Sequence, residues 1–80
     1  MPTYSPHRQH PSLIALGNAI RGARLAQGLS QEELALKAEV DRTYLGRVER
    51  GDSVVAVLVL ISIAKALGLS LERLCKDAEL

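Results

Sequence analysis

Large aromatic side chains are almost absent from this chain of 80 residues, which has no Trp, no Phe and two Tyr. Its hydrophobic fraction is nevertheless 48%, so aliphatic side chains must fill the interior. A chain of this length forms one domain and buries only about 60–65% of the surface that it exposes when unfolded. Charged residues of both signs make up 24% of the chain, which favours a folded domain over a disordered one.

Cysteine and long apolar segments are scarce as well. Cys75 is the single cysteine, and one thiol cannot form an internal disulfide. The N-terminus lacks the pattern of a signal peptide. The longest apolar run, residues 54–61, is less than half of the roughly 20 residues that span a membrane. We therefore expect a cytoplasmic protein with no membrane segment.

The residue groups that catalysis or metal binding requires are also missing. The sequence has no nucleophile beside a base and no glycine-rich phosphate loop. The neighbouring Glu32 and Glu33 would point about 100° apart on a helix. His7 and His10 have a ligand-like spacing, but no third ligand accompanies them. We therefore expect neither an enzyme nor a metal site, and no cofactor or small-molecule effector.

The apolar residues that are present recur at helical spacing and predict an all-α domain over residues 12–80, preceded by a flexible arm, residues 1–11. A first helix is expected from Ser12 to Gln27. Its apolar positions are Leu13, Leu16, Ile20 and Ala23.

The next two helices are predicted by their capping residues. Ser30 and Glu33 have the spacing of a capping box, which starts a second helix of about eight residues. Asp41 is an N-cap for a third helix that runs to Arg50 and stops at Gly51. Two short helices joined by a turn of three or four residues are typical of a helix-turn-helix.

The segment from Ser53 to Ile63 is ambiguous, because its β-branched residues favour a strand by local propensity. A lone strand would have no partner, and the apolar spacing favours a fourth helix. The expected core stripe of this helix is Val57, Leu60, Ile63 or Ala64, and Leu67. A last short helix is expected from Leu71 to about Lys76.

Three pieces of sequence, in this order and at this spacing, resemble the lambda-repressor-like helix-turn-helix family (phage repressor and Cro type, XRE). They are GLSQEELA from Gly28, DRTYLGRVERG from Asp41 and IAKALG from Ile63. The second piece looks most like the controller proteins of restriction–modification systems. The resemblance implies a compact five-helix domain that binds double-stranded DNA as a transcriptional regulator. The family usually has Gly where this chain has Glu39, and a left-handed Glu there would cost about 1 kcal/mol relative to Gly. The family also usually carries a cap for the fourth helix where this chain has Val54, Val55 and Ala56, so the resemblance implies Ser53 as the substitute cap.

The third helix carries the predicted base contacts, which are Arg42, Thr43 and Arg47. Leu45 and Val48 would face the core on its other side. A major groove admits such a helix, and Arg can bond a guanine in bidentate fashion while the Thr methyl meets a thymine methyl. Because the net charge is only +1, DNA binding would depend on where the cations lie. The alternative is an ordinary solvated helix face.

Three further residues are candidates for the DNA backbone. Gln31 begins the second helix, where free amides and the helix dipole favour phosphate, and the resemblance implies the same role. Tyr44 could reach a phosphate with its hydroxyl or pack its ring beside the second helix. Arg50 could contact a phosphate or simply be solvated.

The resemblance also implies a structural ion pair between Arg24 of the first helix and Glu49, which precedes the final Gly of the third. Most DNA readers of this class bind two-fold sites as dimers, so we expect a homodimer. The residues predicted to form its interface are Val55, Leu58, Val59, Leu71 and Leu74. The N-terminal arm could instead cover some of these side chains. The competing functional hypothesis is a protein-interaction module, an antitoxin or adaptor with the same fold.

Overall fold

The computed structural model describes residues 8–80, and this part of the chain folds into five helices without a strand. They are α1 (Pro11–Ala26), α2 (Gln31–Ala38), α3 (Arg42–Arg50), α4 (Val57–Ala66) and α5 (Leu71–Asp77). The predicted all-α, five-helix fold is therefore confirmed. None of these helices is both long enough and apolar enough to cross a membrane. Residues 1–7, which include His7 and most of the predicted arm, lie outside the described residues.

Side-chain caps start four of the five helices, all except α4. The Ser30 hydroxyl accepts from the Glu33 amide at 3.0 Å, and the Glu33 carboxylate accepts from the Ser30 amide at 2.9 Å. This capping box holds the pKa of Glu33 below its usual range. Asp41 caps α3 by accepting from the Thr43 amide at 2.7 Å. Both predicted starts are confirmed, and α1 begins at Pro11 with His10 as its cap.

The start of α4 differs from the prediction. The chain leaves α3 at Gly51 in a left-handed conformation and remains non-helical until Ala56, which caps α4 without a side-chain hydrogen bond. Ser53 is therefore not the cap. Val57, in the first turn, is 64% exposed and lies outside the core stripe. The prediction was wrong here because helical spacing within a segment does not show how many residues are needed to connect α3 to α4.

The core forms where α1 packs on α3 and α2 packs on α4, with α5 against α1 and α4. Its fully buried large side chains are Ile20, Leu34, Leu45, Ile63 and Leu74. At Gly17 the backbones of α1 and α3 touch. A Cβ at Gly17 would lie 2.5 Å from the carbonyl oxygens of both Val48 and Glu49. This contact fixes the position of α3 on the domain.

The turn between α2 and α3 passes through Glu39, which has the left-handed backbone angles φ 58° and ψ 42°. Its side chain is exposed. The helix-turn-helix geometry is thus present with a glutamate at the position that favours glycine.

Candidate nucleic-acid interface

The two sides of α3 have opposite character. Leu45 and Val48 are buried, whereas Arg42, Thr43 and Arg47 are exposed. Neither the Arg42 nor the Arg47 side chain makes a hydrogen bond or ion pair with any residue from 8 to 80. The three predicted base-contacting side chains therefore lie together on the outer side of the helix, with two guanidinium groups free to bind a ligand.

The single acidic residue of α3, Glu49, is turned inward onto Arg24. The Arg24 Nε donates to Glu49 Oε2 at 2.8 Å and Nη2 donates to Oε1 at 3.0 Å. The two side chains are only 9% and 2% exposed. Arg24 Nη1 also donates to the Leu29 carbonyl at 2.8 Å. The pair joins α1 to α3, and it removes the only carboxylate of α3 from the outer surface.

Gln31 is attached to the same pair. Its Nε2 donates to Glu49 Oε1 at 3.1 Å, which places the first residue of α2 against α3. Its Oε1 is 3.7 Å from the position that a Cβ at Gly46 would occupy. The N-terminus of α2 and the outer face of α3 are therefore neighbours, held by side-chain hydrogen bonds.

The other two predicted backbone contacts have partners inside the domain. The Tyr44 ring is half-buried against the core, and its hydroxyl donates to the Val54 carbonyl at 3.4 Å. Arg50 is exposed, and its Nε donates to Asp52 Oδ2 at 3.2 Å. Its Nη1 lies 3.2 Å from the Cβ position of Gly46, so the guanidinium extends back over the preceding turn of α3.

The predicted dimer residues separate into three groups. Leu74 is fully buried, so its assignment to an interface was wrong: it packs into the core from α5. Val55, Val59 and Leu71 are half-buried against the core, and Val55 precedes α4 rather than lying on it. Leu58 is 78% exposed. Val54 and Val57, which the sequence did not single out for this surface, are exposed beside it in the chain.

Sequence reasoning missed a cluster at the exit of α3. Asp52 accepts from Gln9 Nε2 and from Arg50 Nε, and it lies 3.6 Å from Arg8 Nη2. Donation from Gln9, aided by Arg50 and the charge of Arg8, holds the pKa of Asp52 below its usual range. No local pattern could have found the contacts of Arg8 and Gln9 with Asp52, because 43 residues separate Gln9 from Asp52.

Within residues 8–80 no three His, Cys, Asp or Glu side chains are grouped so that they could hold a metal ion. The His10 side chain instead caps α1, since its Nδ1 accepts a hydrogen bond from the Ser12 amide at 3.1 Å.

Known proteins resemble this chain in both sequence and fold. The helix-turn-helix family matches residues 20–74. Control protein C.SmaI of Serratia marcescens is 42% identical over 59 residues, which are 74% of this chain and 70% of that protein. The crystal structure of the restriction-modification controller protein C.AhdI from Aeromonas hydrophila superposes with a TM-score of 0.80 and 38% identity, covering 81% of this chain and 98% of the other. The clp gene regulator ClgR from Corynebacterium glutamicum gives a TM-score of 0.82 at 35% identity, covering 85% and 72%.

Proposed function

Because the chain belongs to the helix-turn-helix family, we propose that it acts as a DNA-binding transcriptional regulator by inserting α3 into the major groove. The relatives described above are control proteins and a gene regulator. The chain is accordingly a regulator rather than an enzyme, and its partner is double-stranded DNA.

The observation that carries the proposal is the distribution of charge on α3. Arg42 and Arg47 are exposed without partners among residues 8–80, while Glu49 is buried. A chain with a net charge of +1 can attract DNA only where cations lie together without nearby carboxylates, and Arg42 and Arg47 share one face of α3 from which its carboxylate is removed. Each guanidinium can bond O6 and N7 of a guanine, and the Thr43 methyl can contact a thymine methyl.

Contacts to the DNA backbone would fix the register of α3 in the groove. Gln31 supports this role because it begins α2, where the first backbone amides lack partners within the helix, and because Glu49 holds it beside α3. Arg50 extends along the same face of α3. Tyr44 lies in the first turn of α3, and its hydroxyl would have to exchange the Val54 carbonyl for a phosphate.

The proposal predicts that Arg47→Ala loses selectivity for the base at one position of the DNA site. We expect this change to cost about 1–3 kcal/mol on the preferred duplex and to relax the selected sequence at one position. Gln31→Ala should instead weaken binding to all sequences alike. The measurement is selection of bound duplexes from a random pool, followed by titration of the selected duplex at several salt concentrations.

Arg73→Ala is the matched control, because it removes the same charge from α5 and should leave the selected sequence unchanged. Binding should weaken steeply as salt rises. If Arg47→Ala selects the same sequence with the same affinity, the assignment of α3 as the reading helix fails. Absence of binding to any duplex at low salt would contradict the proposed function and favour a protein-interaction module.

A second copy of the chain would complete a two-fold DNA site. The exposed apolar side chains Val54, Val57 and Leu58 form a small surface at the start of α4, and a two-fold contact requires a surface that fits itself. We expect a dimer at micromolar concentration. Leu58→Glu should raise the dimer dissociation constant by about tenfold or more, since it places two carboxylates in an apolar contact.

Sedimentation equilibrium measures this change. Leu36→Glu is the control, because Leu36 is also an exposed leucine, at 81%, but lies on α2. It should remain dimeric. A monomer at all concentrations, or equal effects of the two substitutions, would contradict the proposed interface.

A further inference from the structure

Gln9 connects the chain before α1 to the exit of α3. Its backbone amide donates to the Gly51 carbonyl at 2.6 Å, and its Nε2 donates to the Arg50 carbonyl at 2.9 Å and to Asp52 Oδ1. The last carbonyls of a helix lack partners within the helix. The Gly51 and Asp52 amides donate to the Val48 and Arg47 carbonyls. Gln9 therefore supplies the donors for two further carbonyls at this helix end, those of Arg50 and Gly51.

The backbone of Gln9 is left-handed, with φ 62°. A residue with a Cβ adopts this conformation at a cost in free energy, and it persists where surrounding contacts hold it. The three hydrogen bonds to the exit of α3 are the contacts that hold it here. The left-handed backbone at Gln9 therefore accompanies the placement of its side chain at the exit of α3.

Gln9 is also linked to the side chain of Arg50, because both side chains donate to the carboxylate of Asp52. Gln9 and Arg50 donate to different oxygens of the same carboxylate. Successive helical residues turn by about 100°, so Gly46 and Arg50 lie within the arc bounded by Arg42 and Arg47. The Arg50 guanidinium lies over Gly46, where a Cβ would approach it to 3.2 Å. Asp52 thus directs a third cation toward the middle of the outer face of α3.

We infer that Gln9 is a positioning residue for DNA binding, which fixes Asp52 and thereby holds the Arg50 guanidinium on the outer face of α3 for contact with a DNA phosphate. The inference rests on the proposed function. A side chain that is already held loses less freedom on binding, and a preorganised contact therefore binds more tightly than a mobile one. Gln9 itself need not touch the DNA.

The test compares two neutral substitutions in the full chain, Gln9→Ala and Gln27→Ala. Gln27 is the matched control, because its Nε2 also donates to a backbone carbonyl at a helix end, that of Leu67, at 2.6 Å. The probe is the duplex selected by the unmodified chain, titrated in fixed salt. Gln9→Ala should weaken binding by about three- to tenfold, and Gln27→Ala by less than about twofold.

Repeating Gln9→Ala in an Arg50→Gln chain separates positioning from general loss of structure. If Gln9 acts through Arg50, the second substitution should have almost no further effect on affinity, although each still lowers thermal stability. Arg50→Gln alone should reduce the slope of log affinity against log salt by about 0.9, the value for one phosphate.

Two results would overturn the inference while leaving the proposed function intact. One is an equal loss of affinity in Gln9→Ala and Gln27→Ala. The other is a full loss from Gln9→Ala in the Arg50→Gln chain. If the unmodified chain binds no duplex, the proposed function fails and this inference fails with it.

Discussion

Replacing Arg24 by Met is expected to lower the free energy of unfolding by about 3–5 kcal/mol. The Glu49 carboxylate is 2% exposed and accepts two hydrogen bonds from Arg24. Without Arg24 it would keep one donor, Gln31 Nε2, within a site that water does not reach. A buried carboxylate without its counter-ion is among the most costly changes that a single substitution can make.

Urea or thermal unfolding at a fixed protein concentration measures this loss. For a domain of this size, 1 kcal/mol shifts the melting temperature by about 4–8 °C, so the shift should exceed about 12 °C. Arg73→Met is the control. It removes an exposed partner of Asp77 and should cost less than about 1 kcal/mol. The double variant Arg24→Met, Glu49→Met should lose less than the sum of its parts, since it leaves no charge unpaired. Equal losses in Arg24→Met and Arg73→Met would contradict the buried-pair argument.

Gly17→Ala is expected to destabilise the domain by about 3 kcal/mol. The added Cβ would lie 2.5 Å from the carbonyl oxygens of Val48 and Glu49. These oxygens belong to the backbone of α3, which cannot rotate away as a side chain can. Relief requires α1 and α3 to separate, which loosens the core on both sides of the contact. A methyl group is enough because the two backbones already touch.

Gly22→Ala is the matched control for this prediction. Gly22 lies in the same helix, and its Cβ would meet nothing within 4 Å. Alanine stabilises a helix interior by about 0.5–1 kcal/mol relative to glycine, so the two substitutions should have opposite signs in the same unfolding experiment. If Gly17→Ala is neutral or stabilising, the close approach of α1 to α3 is absent in solution.

Much of the fold was predictable because local signals agreed with tertiary packing. The capping box at Ser30 and the cap at Asp41 mark the starts of α2 and α3, and the apolar spacing identified Leu45 and Val48 as the buried side of α3. These features depend on residues within one or two helical turns of each other, so the sequence expresses them directly.

The remaining features depend on which helices meet. Periodicity shows that Leu74 lies on one face of α5, but it does not show that this face meets the core. The role of Gly17 is likewise invisible in the sequence, since the reason for the glycine is a carbonyl on another helix. The same holds for Gln9, whose acceptors lie more than 40 residues away. These contacts join segments distant in sequence, and no pattern within a single helix encodes them.

The left-handed glutamate in the turn between α2 and α3 offers a compensating substitution. Glu39 has φ 58° and an exposed side chain, so glycine would relieve about 1 kcal/mol of strain without disturbing a contact in the core. A Glu39→Gly background should therefore act as a suppressor, in which variants that are otherwise too weakly folded still populate the native state. With Glu39→Gly in the turn between α2 and α3, the effects of destabilising substitutions elsewhere in the domain could then be measured on folded protein.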